Sequence, residues 1–526
     1  MSQMLKSSGA MAAATLASRV LGMVREMVYA AFMGNGWVAS AFTLAFQVPN
    51  LFRRLLGEGA LTAAFIPIFK HQEVAHGEKE MWRSANAVIS GLVAAAGALV
   101  VLAVLGISIA LAVGGFEGET RLMLQLLRLM FPYMLLACLA AVLIGMANAR
   151  GHFFVPALGA VILNVVMIAS VLLLAPCMGS TLNRQIFGLA YGVLLAGLIQ
   201  ALFQLPSLSR EGFRYEWVSP WRDPTVHDVA RKMLPGSIGV AAFQINVLLT
   251  QCFSFWFDPT IVATFNYSVR LMEFPQGMFG ISLATYLLPT LAGLAAEKKY
   301  PEFRTTLRQG LGHLAFANLI AAAISLSLAE PIVRLLFERG KFGPDATHRV
   351  AIALACLAPG LLMFSMNNIL ARAFFALKDI KTPMKISVFC LGLNLLLAYG
   401  FVRYLTLAGY RGEAGLGAAN TLSACCNLAL LTYCLRRKLS RLDMGELKRS
   451  LLVLIGAAVL AGIVAALLSV AWESALGHGS LPRKLGAVFV PGTCAGVVYW
   501  LVAFWFKVPA AREMTALILQ KLRPSS

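Results

Sequence analysis

The chain reads as an all-α, polytopic membrane protein of about fourteen transmembrane helices, and three observations carry that reading. Residues of the AVILMFWYC set make up 59% of its 526 residues and charged residues only 13%, where a soluble domain carries about a quarter charged. The mean hydropathy is +0.76. Apolar runs of about 20 residues, the length a helix needs to cross hydrocarbon, recur from one end to the other.

Taken in order, the runs lie near 9–33, 37–69, 84–114, 122–149, 153–176, 186–208 and 228–256, then 260–296, 310–336, 347–377, 383–409, 415–435, 450–472 and 484–506. The first superficially resembles a signal peptide, with Lys6 ahead of small apolar residues. It runs without a clear stop into Arg19, Arg25 and Glu26, so it is expected to be retained as a span. Two runs are too long for simple rods. Gly57-Glu58-Gly59 interrupts 37–69, and Glu273-Phe274-Pro275-Gln276-Gly277 interrupts 260–296. Such breaks are tolerated at membrane depth where the freed backbone faces protein or a wet cavity.

A formal charge of +20 would suggest a nucleic-acid surface in a soluble protein. Here the basic residues sit in short loops, which makes the excess a topology signal; no nucleic-acid partner is expected. With an even span count both termini share a side. Roughly 28 Lys and Arg fall on that side against about 9 opposite, so both termini are placed in the cytoplasm. The nine cysteines lie mainly within apolar runs and the seven histidines are scattered. Buried small side chains account for the former, and no metal site is predicted.

A faint repeat is visible. The junction Asn148-Ala149-Arg150-Gly151-His152-Phe153-Phe154-Val155-Pro156 is echoed six spans later by Ala376-Leu377-Lys378-Asp379-Ile380-Lys381-Thr382-Pro383. Each is a basic turn with a proline opening the next span. Six is even, so the two halves would be parallel, as in carriers built from like-oriented repeats.

Ionisable groups inside apolar spans are the most informative residues. Arg19, Arg25 and Glu26 lie on the first span, Arg53, Arg54 and Glu58 on the second, Arg270 and Glu273 on the eighth. Each costs at least ~2.5–3.5 kcal/mol at mid-bilayer, which marks a pathway or site. The plainer alternative is snorkelling near helix ends, or static ion pairs that lock spans together. At 100° per residue, Ser18, Arg19, Gly22, Arg25 and Glu26 fall on one face of a helix. Arg54 with Glu58 and Arg270 with Glu273 have i,i+4 and i,i+3 spacing and are expected to be partly self-neutralising. The surplus of arginine suits a phosphate or pyrophosphate substrate, whose oxygens a guanidinium binds bidentately.

The sequence resembles the MurJ/MviN lipid II flippase family of the multidrug/oligosaccharidyl-lipid/polysaccharide exporter superfamily. The resemblance rests on Ser18-Arg19-Val20-Leu21-Gly22 with Arg25-Glu26, and on Pro49-Asn50-Leu51-Phe52-Arg53-Arg54 through Glu58-Gly59-Ala60. It continues in Ala64-Phe65-Ile66-Pro67, in Tyr267 with Arg270 through Gly277, in Gly340-Lys341-Phe342, and in Asp379-Ile380-Lys381-Thr382-Pro383. It implies two six-helix lobes, 1–220 and 221–440, around a central cavity, and C-terminal helices 13 and 14 in 441–526 forming a groove for a lipid tail. It also implies translocation of undecaprenyl-pyrophosphate-linked peptidoglycan precursor from the cytoplasmic to the periplasmic leaflet of the bacterial inner membrane, by alternating access. The cavity residues it implies are Arg19, Arg25, Arg53, Arg270 and Glu58, with Ser18 beside them. Glu26, Arg54, Glu273, Gly57, Gly59 and Pro275 are gating or structural candidates.

Where many members carry an acid, this chain has Ser40 and Val269, so roles assigned to those acids do not transfer. Asn368 and Asp379 are the candidates for a cation site in the C-terminal half. No cofactor is expected; coupling to a monovalent cation or to the membrane potential stays open. The partners implied are lipid II, membrane lipids and other cell-wall synthesis proteins. A cation-driven drug exporter would want an acidic cavity. A flippase for another polyprenyl-linked glycan is separated only by the family blocks. An intramembrane enzyme would need clustered carboxylates or an activated nucleophile, and no DDxxD, HExxH or GxSxG pattern is found. A non-transporting scaffold would be told apart by depletion.

Overall fold

The structure is a computed structural model that describes residues 2–55, 60–439 and 444–522, and the chain is helical nearly throughout. The first helices are α1 (Ser2–Met33), α2 (Trp37–Phe52), α3 (Ala60–His76), α4 (Glu78–Val113), α5 (Gly118–Met130), α6 (Tyr133–Ala149) and α7 (Phe154–Ala169). Next come α8 (Ala175–Cys177), α9 (Leu182–Leu202), α10 (Leu205–Arg210), α11 (Pro224–Phe257), α12 (Ile261–Pro275), α13 (Ser282–Ala296) and α14 (Tyr300–Ser327). The last are α15 (Ala329–Phe337), α16 (Pro344–Leu357), α17 (Gly360–Ala376), α18 (Lys381–Leu407), α19 (Gly412–Lys438), α20 (Gly445–Leu476), α21 (Leu481–Trp505) and α22 (Pro509–Leu522).

Each of the fourteen predicted segments falls mainly on helix, but the number of clear spans is smaller. Among the described residues ten helical runs are long and apolar enough to cross a membrane, eleven if α16 and α17, bent by 45° at their junction, are one span. The other three predicted segments lie on α1, on α2 with α3, and on α11. They stand apart for different reasons: α1 carries Arg19, Arg25 and Glu26, α2 has only 16 residues, and the apolar stretch of α11 that is found is the shorter Ala241–Phe257. The ninth predicted segment also ends early. α14 stops at Ser327, and α15 follows as a separate amphipathic helix burying Ala329, Val333 and Phe337.

The chain divides into two compact units. One comprises Met1–Phe255 with Arg339–Phe342, the other Trp256–Glu338 with Gly343–Ser526. In the first, Phe65 and Phe69 of α3, Met81 and Ala85 of α4 and Met146 of α6 form a core. α9 approaches α8 and the turn before it through Gly188 and Gly192. A Cβ on Gly188 would sit 2.7 Å from Ala175 Cα, and one on Gly192 2.3 Å from Ser170 Cβ. This is the small-residue packing that membrane helices use in place of a hydrophobic drive. In the second unit, Phe303 and Leu311 of α14, Phe374 of α17, Leu454 and Ala461 of α20 and Tyr499 of α21 are buried together. The Tyr499 hydroxyl donates to the Phe316 carbonyl at 2.9 Å, pinning the C-terminal pair to α14.

The two echoed junctions close alike. His152 N–H reaches the Ala147 carbonyl at 2.9 Å and Gly151 N–H that of Asn148 at 3.0 Å. Asp379 N–H reaches Phe374 at 2.9 Å and Lys378 N–H reaches Phe375 at 2.9 Å. Both are Schellman closures with a left-handed residue after the helix, Gly151 at φ 88° and Lys378 at φ 59°.

Candidate functional site

In the first unit, α1 and α7 pack along each other, and one polar side chain organises the contact. Asn164 lies on α7, buried among apolar residues. Its amide Nδ2 donates to the Ser18 carbonyl at 3.2 Å, and its Oδ1 accepts from Arg25 Nη1 at 3.0 Å. Arg25 Nη2 donates to Glu26 Oε1 at 2.6 Å, and the guanidinium lies 5.5 Å from the Tyr29 ring centre. The Arg25 and Glu26 side chains are only 20% and 11% exposed. Arg25 Nε is buried without a hydrogen-bond acceptor among the described residues. The site therefore holds a guanidinium fixed in direction with donor capacity to spare.

Ser18, Arg25 and Glu26 of the predicted polar face are thus brought to one place. Arg19 is exposed, as are Leu16 and Val20 near it on α1. On α2, Arg53 Nε donates to Asn50 Oδ1 at 2.8 Å. Arg53 and Arg54 occupy a widened π-helical turn through Leu55, and both are partly buried. Gly57, Glu58 and Gly59 lie outside the described residues, so the predicted Arg54–Glu58 pair does too. In the second unit the predicted pairing is present: Arg270 Nη1 to Glu273 Oε2 is 2.8 Å. The predicted break is present as well. α12 ends at Pro275 and continues as a π-helical turn, Gln276–Ile281, a feature that recurs at functional sites. Ser40 is fully buried, and Val269 packs beside Met272 and Leu357.

Sequence reasoning missed the partner of Arg25 and a whole second cluster. A lone Asn in Phe154–Ala169 was the available signal for the first. The second centres on Arg349 of α16, whose Nε and Nη2 donate to Glu413 at 2.7 and 2.9 Å. Its Nη2 also reaches Asp258 Oδ2 at 2.9 Å, and its Nη1 donates to the Thr260 hydroxyl. Arg349 is 8% exposed and Glu413 0%. This is a closed ion-pair lock.

Outside the spans, Arg150 gathers Glu73, Glu78 and Glu211 at the junction after α6. The Glu73 carboxyl is held below its ordinary range by Lys70 and by Arg150, and that of Glu211 by His152 and Arg150. Asp379 accepts from Lys438 Nζ at 2.7 Å and from the Thr382 hydroxyl at 2.8 Å, which lowers its carboxyl to about 2.

The family model described as "Lipid II flippase MurJ" matches residues 29–486. The chain belongs to the MurJ lipid II flippase family. A probable lipid II flippase MurJ from Vibrio cholerae serotype O1 is 34% identical over 444 residues, 82% of each chain. A lipid II flippase MurJ from Burkholderia cenocepacia is 34% identical over 469 residues, 86% of this chain and 87% of the relative. Among solved structures, a lipid II flippase MurJ in an inward closed conformation superposes with a TM-score of 0.73 at 19% identity, covering 94% of this chain and 98% of its own. A multidrug-resistance MATE transporter in an inward-facing conformation gives 0.66 at 16% identity, covering 81% and 96%. The fold is thus shared with drug exporters; it is the family match that separates the two. A polytopic, all-α membrane carrier of the MurJ family accounts for the fold and the matches together.

Proposed function

We propose that this protein translocates lipid II, the undecaprenyl-pyrophosphate-linked peptidoglycan precursor, from the cytoplasmic to the periplasmic leaflet of the bacterial inner membrane by alternating access. Both termini are cytoplasmic in this reading, as the basic loops require. The observation that carries it is Arg25. A guanidinium on a membrane-embedded helix is costly, and this one is braced by Asn164 while its Nε donor is left over. A pyrophosphate supplies the acceptors that such a group lacks. Arg19, Arg53 and Arg270 serve as further phosphate contacts, with Ser18 and Glu58 beside them. Glu26 and Glu273 hold Arg25 and Arg270 between cycles, Arg54 pairs with Glu58, and Gly57, Gly59 and Pro275 supply bending points.

The membrane potential is proposed as the drive. Each elementary charge moved is worth ~2.3 kcal/mol per 100 mV, so carrying a doubly negative headgroup outward is favoured by about 4–5 kcal/mol per 100 mV. Collapsing the potential in cells should then trap one conformation. Unchanged cysteine accessibility around Arg25 after collapse would remove this part of the reading.

The main test is complementation in a strain depleted of its own lipid II flippase. The unsubstituted chain should restore lipid II to the outer leaflet, while Arg25→Ala and Arg270→Ala should not. Full rescue by both alanine variants would sink the site assignment.

A further inference from the structure

On the flank of the first unit, α4, α5 and α9 enclose a groove of about 610 Å³ lined by Val104, Ser108, Gln125, Arg128, Tyr191 and Leu194 among others. Val104 and Ser108 lie in the last third of α4, Gln125 and Arg128 in the C-terminal half of α5, and Tyr191 and Leu194 in α9. Leu105 and Ile109 of α4 and Leu195 of α9 are exposed beside it, so it opens on a surface that faces bilayer. Its lining mixes apolar side chains with four polar ones, Ser108, Gln125, Arg128 and Tyr191.

Arg128 lies on a span whose most apolar window reaches a mean hydropathy of 2.3. Among the described residues its one polar contact is long, Nη1 to Ser108 Oγ at 3.5 Å, and it has no carboxylate partner. The Ser108 hydroxyl donates its proton to the Val104 carbonyl at 2.7 Å, so toward Arg128 it can only accept. The guanidinium fork is therefore almost wholly available beside two further donors, the Gln125 amide and the Tyr191 hydroxyl. A helical side chain leans toward its helix N-terminus, which for Arg128 means toward the membrane surface at Gly118.

We infer that this groove is a binding site for the phosphate of an anionic glycerophospholipid from the surrounding leaflet, with Arg128 as its charged contact. The volume lies within the range of small-molecule pockets and suits a headgroup with the start of an acyl chain. It is too small for a disaccharide carrying a peptide. The lining also selects against a zwitterion. An ethanolamine or choline headgroup brings its own cation, and none of the residues named above offers a carboxylate to receive it.

The test is native mass spectrometry of the purified full chain titrated with phosphatidylglycerol or phosphatidylethanolamine. The unsubstituted protein should retain one phosphatidylglycerol with roughly tenfold preference, the scale of one charge-assisted contact. Arg128→Gln should reduce that preference to within about twofold, and Arg128→Lys should keep part of it. Arg121→Gln, an exposed arginine of the same helix, should leave it unchanged. Melting of the delipidated Arg128→Gln protein at the unsubstituted temperature shows that the fold is intact. The inference is overturned if Arg128→Gln keeps the full preference. It is equally overturned if a polyprenyl pyrophosphate displaces the phosphatidylglycerol one for one, since the groove then serves the carried lipid. Because binding is read without transport, neither result depends on the flippase reading.

Discussion

Arg25 in the first unit and Arg349 in the second are both guanidiniums on helices of the membrane domain, and they are satisfied in different ways. Arg349 meets two carboxylates and a hydroxyl, and Glu413 opposite it is wholly buried. Arg25 meets one carboxylate and a neutral amide, and keeps a buried donor without an acceptor. The first arrangement is electrostatically closed and leaves nothing for a ligand. The second holds the group in place and leaves a share of its charge and one donor unused. The contrast separates a lock from a site, a distinction that burial alone would not make, since both arginines are largely buried.

The comparison breaks most visibly if the lock is cut. Removing one partner of a buried ion pair strands the other charge, at a cost of about 3–5 kcal/mol. Glu413→Ala should therefore lower the melting temperature of the detergent-solubilised protein more than any substitution at Arg25. The pair Arg349→Met with Glu413→Leu should recover most of the loss, because no buried charge is then stranded and Asp258, which also loses its partner, is 31% exposed and stays hydrated. Failure of the double variant to recover would mean that Asp258 and Thr260 depend on Arg349 for their own placement.

Arg25 should show the reverse balance. Arg25→Gln loses the charge but keeps an amide whose two N–H groups can serve Asn164 and Glu26, so stability falls by only about 1–2 kcal/mol. Lipid II flipping should fall by more than about tenfold, the scale of one lost charge-assisted contact. Arg25→Lys should restore part of it, since an ammonium is a point charge without the bidentate fork. A loss of flipping no larger than the loss of folded protein would make Arg25 a second lock.

How far this contrast was legible beforehand follows from the physics of each signal. Charged residues in apolar runs are costly, so Arg25, Glu26, Arg270 and Glu273 stand out from the sequence, as does the break at Pro275. Arg270–Glu273 pairing is local and follows from helical spacing. Arg349 and Glu413 are 64 residues apart, and no periodicity encodes that meeting. Asn164 is neutral and carries a weaker signal than a charge, although it is what orients Arg25. All fourteen apolar segments fall mainly on helix, and those that stand apart from the ten or eleven long apolar runs do so for local reasons: α1 carries Arg19, Arg25 and Glu26, α2 is short, and the apolar stretch of α11 set apart is Ala241–Phe257. The end of α14 was missed because the apolar pattern runs on through Leu328 into α15.

A smaller effect sharpens the role of the neutral partner. Asn164→Leu removes the bonds to Arg25 and to the Ser18 carbonyl. Hydrogen bonds between membrane helices average about 0.6 kcal/mol and reach about 1.7. Melting should fall by an amount in that range, while flipping falls further because the guanidinium loses its direction. Equal losses in both measurements would make Asn164 a packing residue only.

The smallest effect is expected from a third kind of pair, outside the spans. Asp379 accepts from Lys438 and Thr382, and its carboxyl sits at about 2 against an ordinary 3.8. A carboxyl depressed by folding contributes stability that is complete above its unfolded value and is lost as pH falls through the folded one. Thermal melting should therefore carry a component that is flat above about pH 5 and declines between roughly pH 4 and pH 2. Water screens this pair on the Lys438 side, which is 39% exposed, so the component is far smaller than the loss of melting temperature expected from Glu413→Ala. Asp379→Asn should flatten it while leaving the slopes due to Glu73 and Glu211, whose carboxyls are also lowered. An acid-limb slope unchanged in Asp379→Asn would show that Lys438 is too well solvated to bind the junction after α17, and that its Schellman closure holds without the ion pair.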